Sequence, residues 1–183
     1  MSKNWRVAKP MLGSLSMASR NPRRDPRAAL PALLRAAARV RGHAHAPYSN
    51  FPVGAAVLAG GEIFVGVNVE NSAYPLGVCA ERSAVSAAIS AGHRRIDAVA
   101  VVGGSLRPVP PCGGCRQVLA EFCAPEVPLV YSTPGGRKVV SSLGELLPSA
   151  FGIDDLRLEE RLEPAPVRPA VRVVGKSRRA SAR

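Results

Sequence analysis

Long apolar runs and aromatic residues are both scarce in this sequence of 183 residues. No uninterrupted apolar stretch reaches the roughly 18 residues that indicate a membrane-spanning helix, so we expect no association with membranes. The basic residues near the N-terminus precede no apolar segment of the kind found in secretory signals, and we therefore expect a cytoplasmic protein. Because aromatic residues form only 4% of the chain, alanine, valine and leucine have to supply the core, for which this length is sufficient.

Cysteine is limited to four residues, Cys79, Cys112, Cys115 and Cys123. A chain without a secretion signal has little use for a disulfide framework, and Cys112 and Cys115 stand in a Cys-x-x-Cys pair. This spacing indicates metal binding or redox chemistry before it indicates disulfide bonding.

Acidic residues are few, 13 against 25 lysines and arginines, and the excess of positive charge lies at the two ends. Residues 28–162 are close to neutral, with twelve basic and eleven acidic residues. We interpret residues 1–27 as a disordered basic leader, residues 28–162 as the folded domain and residues 163–183 as a disordered basic tail. A nucleic-acid-binding domain normally carries its charge on its folded face. We therefore expect no nucleic-acid partner beyond weak contacts through the basic ends.

Hydrophobic periodicity and chain-breaking residues predict alternating helices and strands. Strands separated by helices favour an α/β fold with one mixed sheet that is covered on both faces. The predicted elements are a helix over 28–42, strands over 53–58 and 62–69 joined as a hairpin, a helix over 79–91, a strand over 96–102, a helix over 113–122, a strand over 127–132, a short strand at 139–140 and a short helix over 143–147.

Cys79 and the pair Cys112 and Cys115 are the central group of candidate ligands. Cys79 stands at one predicted helix start, and the pair stands at another. Helix N-termini carry partial positive charge, which stabilises the thiolate form of cysteine. Three thiolates could hold one Zn²⁺ and leave the fourth tetrahedral position to water, which distinguishes a catalytic zinc site from a structural one. Zinc lowers the pKa of such a water to roughly 7.

Glu81 lies two residues after the first cysteine and is the candidate catalytic acid and base, since a carboxylate beside that water can move its proton. Three thiolates also exceed the charge of the ion, so cationic neighbours are expected. Arg82 follows at once and is predicted to donate hydrogen bonds to the thiolates. Arg116 follows Cys115 directly. It is equally suited to donate hydrogen bonds to the thiolates and to be an ordinary surface residue.

Cys123 lies eight residues beyond Cys115, which is about 12 Å along one continuous helix. Zinc–sulfur bonds measure about 2.3 Å, so Cys123 cannot share the same tetrahedron unless the helix breaks. We expect it to be a small buried apolar residue.

A ligand-x-Glu sequence followed by Pro-Cys-x-x-Cys is the signature of zinc-dependent deaminases. Over about residues 28–156 the sequence resembles the small cytidine deaminases of the pyrimidine-salvage type, which act on free nucleosides. The resemblance rests on five blocks, Pro47-Tyr48-Ser49-x-Phe51-x-Val53-Gly54-Ala55-Ala56, Gly66-x-Asn68-x-Glu70-Asn71, Cys79-Ala80-Glu81-Arg82, Pro111-Cys112-Gly113-Gly114-Cys115-Arg116-Gln117 and Leu146-Leu147-Pro148-x-x-Phe151.

The resemblance implies a three-layer α-β-α cytidine-deaminase-like fold with a mixed five-stranded sheet, one Zn²⁺ per subunit and a homotetramer. It also implies hydrolysis of cytidine and deoxycytidine to uridine, deoxyuridine and ammonia, with Glu81 moving protons from water to N3 and to the leaving amine. In the substrate site, Asn68 and Glu70 resemble the pair that binds the ribose hydroxyls, and Phe51 the ring that flanks sugar or base. The backbone at Ala80 reads the base, and Phe151 resembles the residue that reaches a neighbouring subunit's site.

Three different functions stay open on the sequence alone. The chain could deaminate another nucleoside analogue, as the blasticidin S deaminases do with the same zinc motifs. It could be a deaminase associated with nucleic acid, although those usually place His at the first ligand position, where Cys79 stands. It could also be a zinc-stabilised scaffold without activity. Phe51 and Phe151 are, for each of these functions, candidates for ordinary core aromatics.

Overall fold

The computed structural model describes residues 25–104 and 106–159. The predicted tail, 163–183, and all but the last three residues of the predicted leader lie outside the described part. Contacts divide the chain after Pro148 into two units, and each is described by itself. No helix in the described part is long and apolar enough to cross a membrane.

Five strands form one mixed sheet at the centre of the first unit. They are β1 (Gly54–Ala59), β2 (Glu62–Val67), β3 (Ala98–Val102), β4 (Pro128–Ser132) and β5 (Lys138–Ser142). Their spatial order is β2-β1-β3-β4-β5. Only the β3–β4 pair among them is parallel, and the other three pairs are antiparallel.

Among the described residues, four α-helices accompany the sheet in the first unit, and one belongs to the second. The helices are α1 (Leu30–Val40), α2 (Ala80–Ser90), α3 (Gly113–Ala120), α4 (Leu143–Leu146) and, in the second unit, α5 (Ile153–Glu159). Short 3₁₀ turns occupy Pro26–Ala29, Arg41–His43 and Tyr74–Leu76.

The central strands β1, β3 and β4 are buried on both faces of the sheet, to which their successive residues point in turn. On one face, Ala56 and Ala100 pack with α1. On the other face, Val57 and Val99 pack with α2, α3 and α4. All five residues of β3 are buried, as expected for a central strand covered on both sides. The expected α/β fold, with three layers and a mixed five-stranded sheet, is confirmed.

Gly66 in β2 allows α2 to approach the sheet closely. A Cβ atom at this position would lie 2.3 Å from the backbone nitrogen of Ala84 and 2.6 Å from the carbonyl oxygen of Ala80. Only a glycine leaves room for the first turns of the helix there. The contact therefore holds the first turns of α2, which begins directly after Cys79, close to the sheet.

The predicted bounds lie within two residues of the observed ones, and two differences, a shorter strand and an additional helix, have identifiable reasons. The second strand ends at Val67 rather than at residue 69, because the Asn68 amide bonds to the backbone of Phe51 and Val53. The prediction of a final element at 143–147 missed α5, where the Asp155 carboxylate accepts a hydrogen bond from the Gly152 N–H at 2.7 Å. Acidic residues in a first helical turn favour such a start.

Candidate active site

Three thiols from two helix starts come together at one end of α2 and α3. Cys79 is the N-cap residue of α2, Cys112 is the N-cap residue of α3, and Cys115 lies in the first turn of α3. The three Sγ atoms lie within 4.8 Å of one another, and those of Cys79 and Cys112 are 4.0 Å apart. Zinc–sulfur bonds of about 2.3 Å in a regular tetrahedron place the sulfurs about 3.8 Å apart. The spacing of the three thiols thus fits one zinc ion.

The donor set also leaves a coordination position unused. Among the described residues, no fourth His, Cys, Asp or Glu belongs to this group. Cys123 is separate from it and is buried in the apolar core that includes Leu119, as its spacing predicts. Burial raises the pKa of the Cys123 thiol to about 12. A tetrahedral ion with three protein ligands has room for water or substrate.

The thiols share their protons unevenly. The pKa of Cys79 is lowered to about 6, chiefly because the Cys115 thiol hydrogen-bonds to its sulfur, with further help from Cys112 and the positive charge of Arg82. The interaction with Cys79 and burial raise the pKa of Cys115. Negative charge among the three thiols therefore collects first at Cys79, at the start of α2, in the thiolate form that a metal ion binds.

Glu81, the second residue of α2, lies beside this cluster and is only 6% exposed. Burial, and next the negative charge of Cys79, raise the pKa of its carboxyl group. A carboxyl group that holds its proton closer to neutral pH is suited to both accepting and donating protons.

A cavity of about 350 Å³ opens over Glu81 and the thiols. Its volume lies in the range of small-molecule sites. The helix starts contribute Cys79, Ala80, Glu81 and Cys112 to its lining. The segments around β1 and β2 contribute Ser49, Phe51, Asn68 and Glu70. The structure thus brings seven of the predicted site residues to one cavity, with the buried Cys115 directly behind Cys79.

Asn68 and Glu70 also hold the chain segment that carries Phe51. The Asn68 side-chain oxygen accepts a hydrogen bond from the Val53 N–H at 2.8 Å, and its nitrogen donates to the Phe51 carbonyl at 3.0 Å. The Glu70 carboxylate accepts hydrogen bonds from the N–H groups of Tyr48 and Ser49, at 2.9 and 3.2 Å, and from the Ser49 hydroxyl. These bonds lower the pKa of Glu70, and the bond from the Ser49 hydroxyl has the largest effect.

Comparison with known proteins identifies the family. The model of the cytidine and deoxycytidylate deaminase zinc-binding region matches residues 29–131. The chain belongs to this deaminase family. It is 48% identical over 119 residues to the cytidine deaminase of Sporosarcina psychrophila, which covers 64% of this chain and 88% of that protein. It is 44% identical over 125 residues to the cytidine deaminase of Halalkalibacterium halodurans, which covers 68% and 95%.

A solved structure agrees with this assignment. The crystal structure of cytidine deaminase from Burkholderia pseudomallei matches this deaminase with a TM-score of 0.64 and 48% sequence identity. The match covers 66% of this chain and 98% of that one. The resemblance seen in the sequence is thereby confirmed.

Arg82 and Arg116, the two arginines considered as neighbours of the thiols, lie in different surroundings. Arg82 is exposed on α2, and the described part of the chain shows its charge acting on Cys79 but no hydrogen bond from its guanidinium to a sulfur. Arg116 donates from Nε to the Pro111 carbonyl and from a terminal nitrogen to the Leu146 carbonyl, each at 2.8 Å. Arg116 therefore ties the segment before Cys112 to α4.

Phe151 belongs to the second unit of the deaminase, and its side chain is 60% exposed. Its predicted contact with a neighbouring subunit stays a prediction.

Ser49 is a cavity residue that sequence reasoning does not single out, although it stands in the first of the five blocks. Its hydroxyl contacts Glu70, and the only sequence signal is its place two residues before Phe51. Gly103, Val109 and Pro110 also line the cavity without having been predicted. The loop after β3 passes close to Phe51, since a Cβ atom added at Gly103 would lie 3.6 Å from the ring, and periodicity does not reveal such tertiary proximity.

Proposed function

We propose that this deaminase hydrolyses cytidine and deoxycytidine to uridine and deoxyuridine with release of ammonia, as part of pyrimidine salvage. The observation that carries the proposal is the buried Glu81 beside three converging thiols, at a cavity of nucleoside size. The relatives named cytidine deaminase support it, and they favour it over deamination of blasticidin S, over a role on nucleic acid and over an inactive zinc scaffold.

The residues present suit a zinc-assisted hydrolysis. Zinc held by Cys79, Cys112 and Cys115, one ion per subunit, would supply the Lewis acidity that makes water a nucleophile at neutral pH. Glu81 accepts the proton that water loses as its oxygen bonds to C4 of the base. The same carboxyl group then donates this proton to N3 and moves the proton of the new C4 hydroxyl to the amino group, which leaves as ammonia when the C4–N bond breaks and C4 becomes a carbonyl. Its raised pKa suits both directions of transfer.

The sugar end of the substrate is assigned to Asn68 and Glu70. Each side chain already bonds to the 48–53 segment but retains capacity for a ligand. An amide nitrogen has two protons, of which Asn68 uses one, and a carboxylate has about four acceptor positions, of which Glu70 uses three. The remaining proton and lone pair suit sugar hydroxyls. Phe51 would flank the sugar or base, and the backbone at Ala80 would read the base edge.

We further propose a homotetramer in which Phe151 reaches a neighbouring subunit's site. Exposed large apolar side chains support an oligomer, since such groups commonly mark interfaces. They include Phe151 at 60% exposure, Tyr74 at 77% and Leu76 at 67%. All four cysteines are free thiols, which supports a reducing compartment such as the cytoplasm.

The direct experiment follows the ultraviolet absorbance of cytidine mixed with the purified protein, together with release of ammonia. We expect conversion to uridine that stops when zinc is removed with a chelator and returns when zinc is added. Neither conversion nor ammonia release from the zinc-loaded protein would refute the proposed function. Blasticidin S, assayed in parallel, separates a nucleoside deaminase from one specialised for that analogue.

A further inference from the structure

Ser49 occupies the centre of a hydrogen-bond chain at the rim of the cavity. Its hydroxyl donates to the Glu70 carboxylate and accepts from the Phe51 N–H at 3.1 Å. One hydroxyl group therefore connects the proposed sugar-binding carboxylate with the backbone of the proposed aromatic wall.

The turn at Asn50 makes this connection possible. Asn50 has a φ of 52°, in the left-handed region that asparagine adopts more readily than most residues. That conformation returns the chain so that the Phe51 N–H faces the hydroxyl two residues earlier. The Asn50 N–H itself bonds to the Ala46 carbonyl at 3.1 Å, which closes the turn.

Phe51 is consequently held by its backbone on both sides. Its N–H donates to Ser49, and its carbonyl accepts from Asn68 at 3.0 Å. Phe51 is 40% exposed, and its ring lies near Gly103, where an added Cβ atom would be 3.6 Å from Cε1, so neighbouring side chains alone do not enclose it. The position of the ring at the cavity wall therefore depends on these two backbone bonds.

We propose that Ser49 is a positioning residue for nucleoside binding, which acts through Glu70 and Phe51 rather than by contact with the reacting atoms. The inference rests on the proposed function. Ser49 lies on a segment separate from α2 and α3, which carry Glu81 and the thiols. Its loss should therefore weaken binding of the sugar and leave the chemical step intact.

The kinetic test compares Ser49→Ala with Ser49→Thr, and Ser86→Ala serves as the control. Ser86 is an exposed serine on α2 outside the cavity lining. Removing a hydrogen bond to a charged group should raise KM for cytidine by about 10-fold. An interaction of this kind, equal in ground and transition states, leaves kcat within about twofold. Ser49→Thr keeps the hydroxyl and should restore KM, and zinc content should be unchanged in all three variants.

A double-mutant cycle distinguishes an indirect role from contact with the sugar. In a Glu70→Ala background the hydroxyl has lost its acceptor, so adding Ser49→Ala should change KM by far less than it does in the wild type. An equal factor in both backgrounds would mean that Ser49 does not act through Glu70, and would overturn the proposal. An unchanged KM, a fall in kcat alone, or loss of zinc with Ser49→Ala would also overturn it.

A second measurement does not depend on turnover. The amide proton of Phe51 should exchange with solvent faster in Ser49→Ala than in Ser86→Ala, because its acceptor is gone. Equal exchange rates would contradict the proposed connection even in an active enzyme. Faster exchange in a protein that converts no cytidine would instead contradict the proposed function while leaving the positioning of Phe51 supported.

Discussion

Two carboxyl groups at the same cavity have pKa values shifted in opposite directions. Hydrogen bonds lower the pKa of Glu70, and the bond from the Ser49 hydroxyl has the largest effect. Burial raises the pKa of Glu81. Glu70 is therefore kept ionised as an acceptor, and Glu81 is kept ready to exchange a proton. Such a separation of two acidic groups by their environments is how a site assigns one to binding and the other to proton transfer.

Replacing Glu81 with Gln tests the proton-transfer role. The amide fills the same buried volume but cannot carry a proton between water and the base, so kcat should fall by about 10²- to 10⁴-fold. Zinc content should not change, because the three thiols are intact. Glu121→Gln, at the exposed end of α3, is the matched control and should retain wild-type kcat. Near-normal turnover by Glu81→Gln would remove this residue from the mechanism.

The titration of Glu70 gives a prediction with a definite sign. Its folded pKa lies below the ordinary glutamate value of 4.5, so its bonds to the 48–49 segment stabilise the fold above that value. This contribution is lost as the pH falls through the folded pKa. Ser49→Ala removes the largest cause of the shift, while the nearby His45 and the two backbone N–H groups remain. The Glu70 midpoint, followed by NMR, should move upward towards 4.5, and an unchanged midpoint would contradict this cause.

At the residue scale, the sequence predicts the candidate metal ligands and proton carrier more readily than the hydrogen-bond partners of individual side chains. Three cysteines and Glu81 could be picked out because metal ligands and a proton carrier need particular residue types at particular spacings. The bonds of Asn68 to the backbone of Phe51 and Val53 could not, because an amide suits a sugar hydroxyl and a loop equally well.

At the scale of elements, the positions of the three clustered thiols depend on where α2 and α3 begin. Cys79 and Cys112 are N-cap residues, so the site is displaced if either helix moves. Gly66 fixes α2 against β2, and Arg116 fixes the segment before α3 to the carbonyl of Leu146. The deaminase thus positions its ligands through packing and backbone bonds outside the ligand set.

Gly66→Ala should disturb this arrangement. A methyl group placed 2.3 Å from the Ala84 nitrogen forces α2 away from the sheet, and overpacking of this kind costs about 1–3 kcal/mol. Urea denaturation should show the loss of stability, and zinc affinity should fall because Cys79 moves with the helix. Gly42→Ala is the control, since a Cβ there meets nothing within 4 Å. Equal stability of the two variants would exclude close packing at Gly66.

Element types were predicted better than their ends. The hairpin β1–β2, the buried β3 and the two helices after cysteines follow from periodicity and glycine positions in the sequence. The single turn Tyr74–Leu76 and the helix α5 lacked such signals. Both are short, and short elements owe their conformation to tertiary contacts more than to intrinsic propensity.

At the scale of the whole molecule, the sheet keeps the two halves of the site together. The segments around β1 and β2 carry Phe51, Asn68 and Glu70, and the starts of α2 and α3, in another part of the sequence, carry Glu81 and the thiols. Small residues on both faces of β1 and β3 bring the helical layers close to the sheet. That the sheet would be mixed and covered on both sides could be inferred from the order of elements alone.

Zinc should therefore stabilise the whole first unit as well as enable catalysis. An ion that joins the starts of α2 and α3 binds the folded chain and not the unfolded one, and at 100 times its Kd such a ligand contributes about 2.7 kcal/mol. For a chain of this size each kcal/mol corresponds to about 2–4 °C in Tm, so chelation should lower Tm by roughly 5–10 °C. Cys115→Ser should show a low Tm that a chelator no longer changes. Cys123→Ala changes a residue outside the thiol cluster, so its Tm should still fall on chelation. If chelation lowered the Tm of Cys115→Ser by the same amount, a metal site at these three thiols would be contradicted.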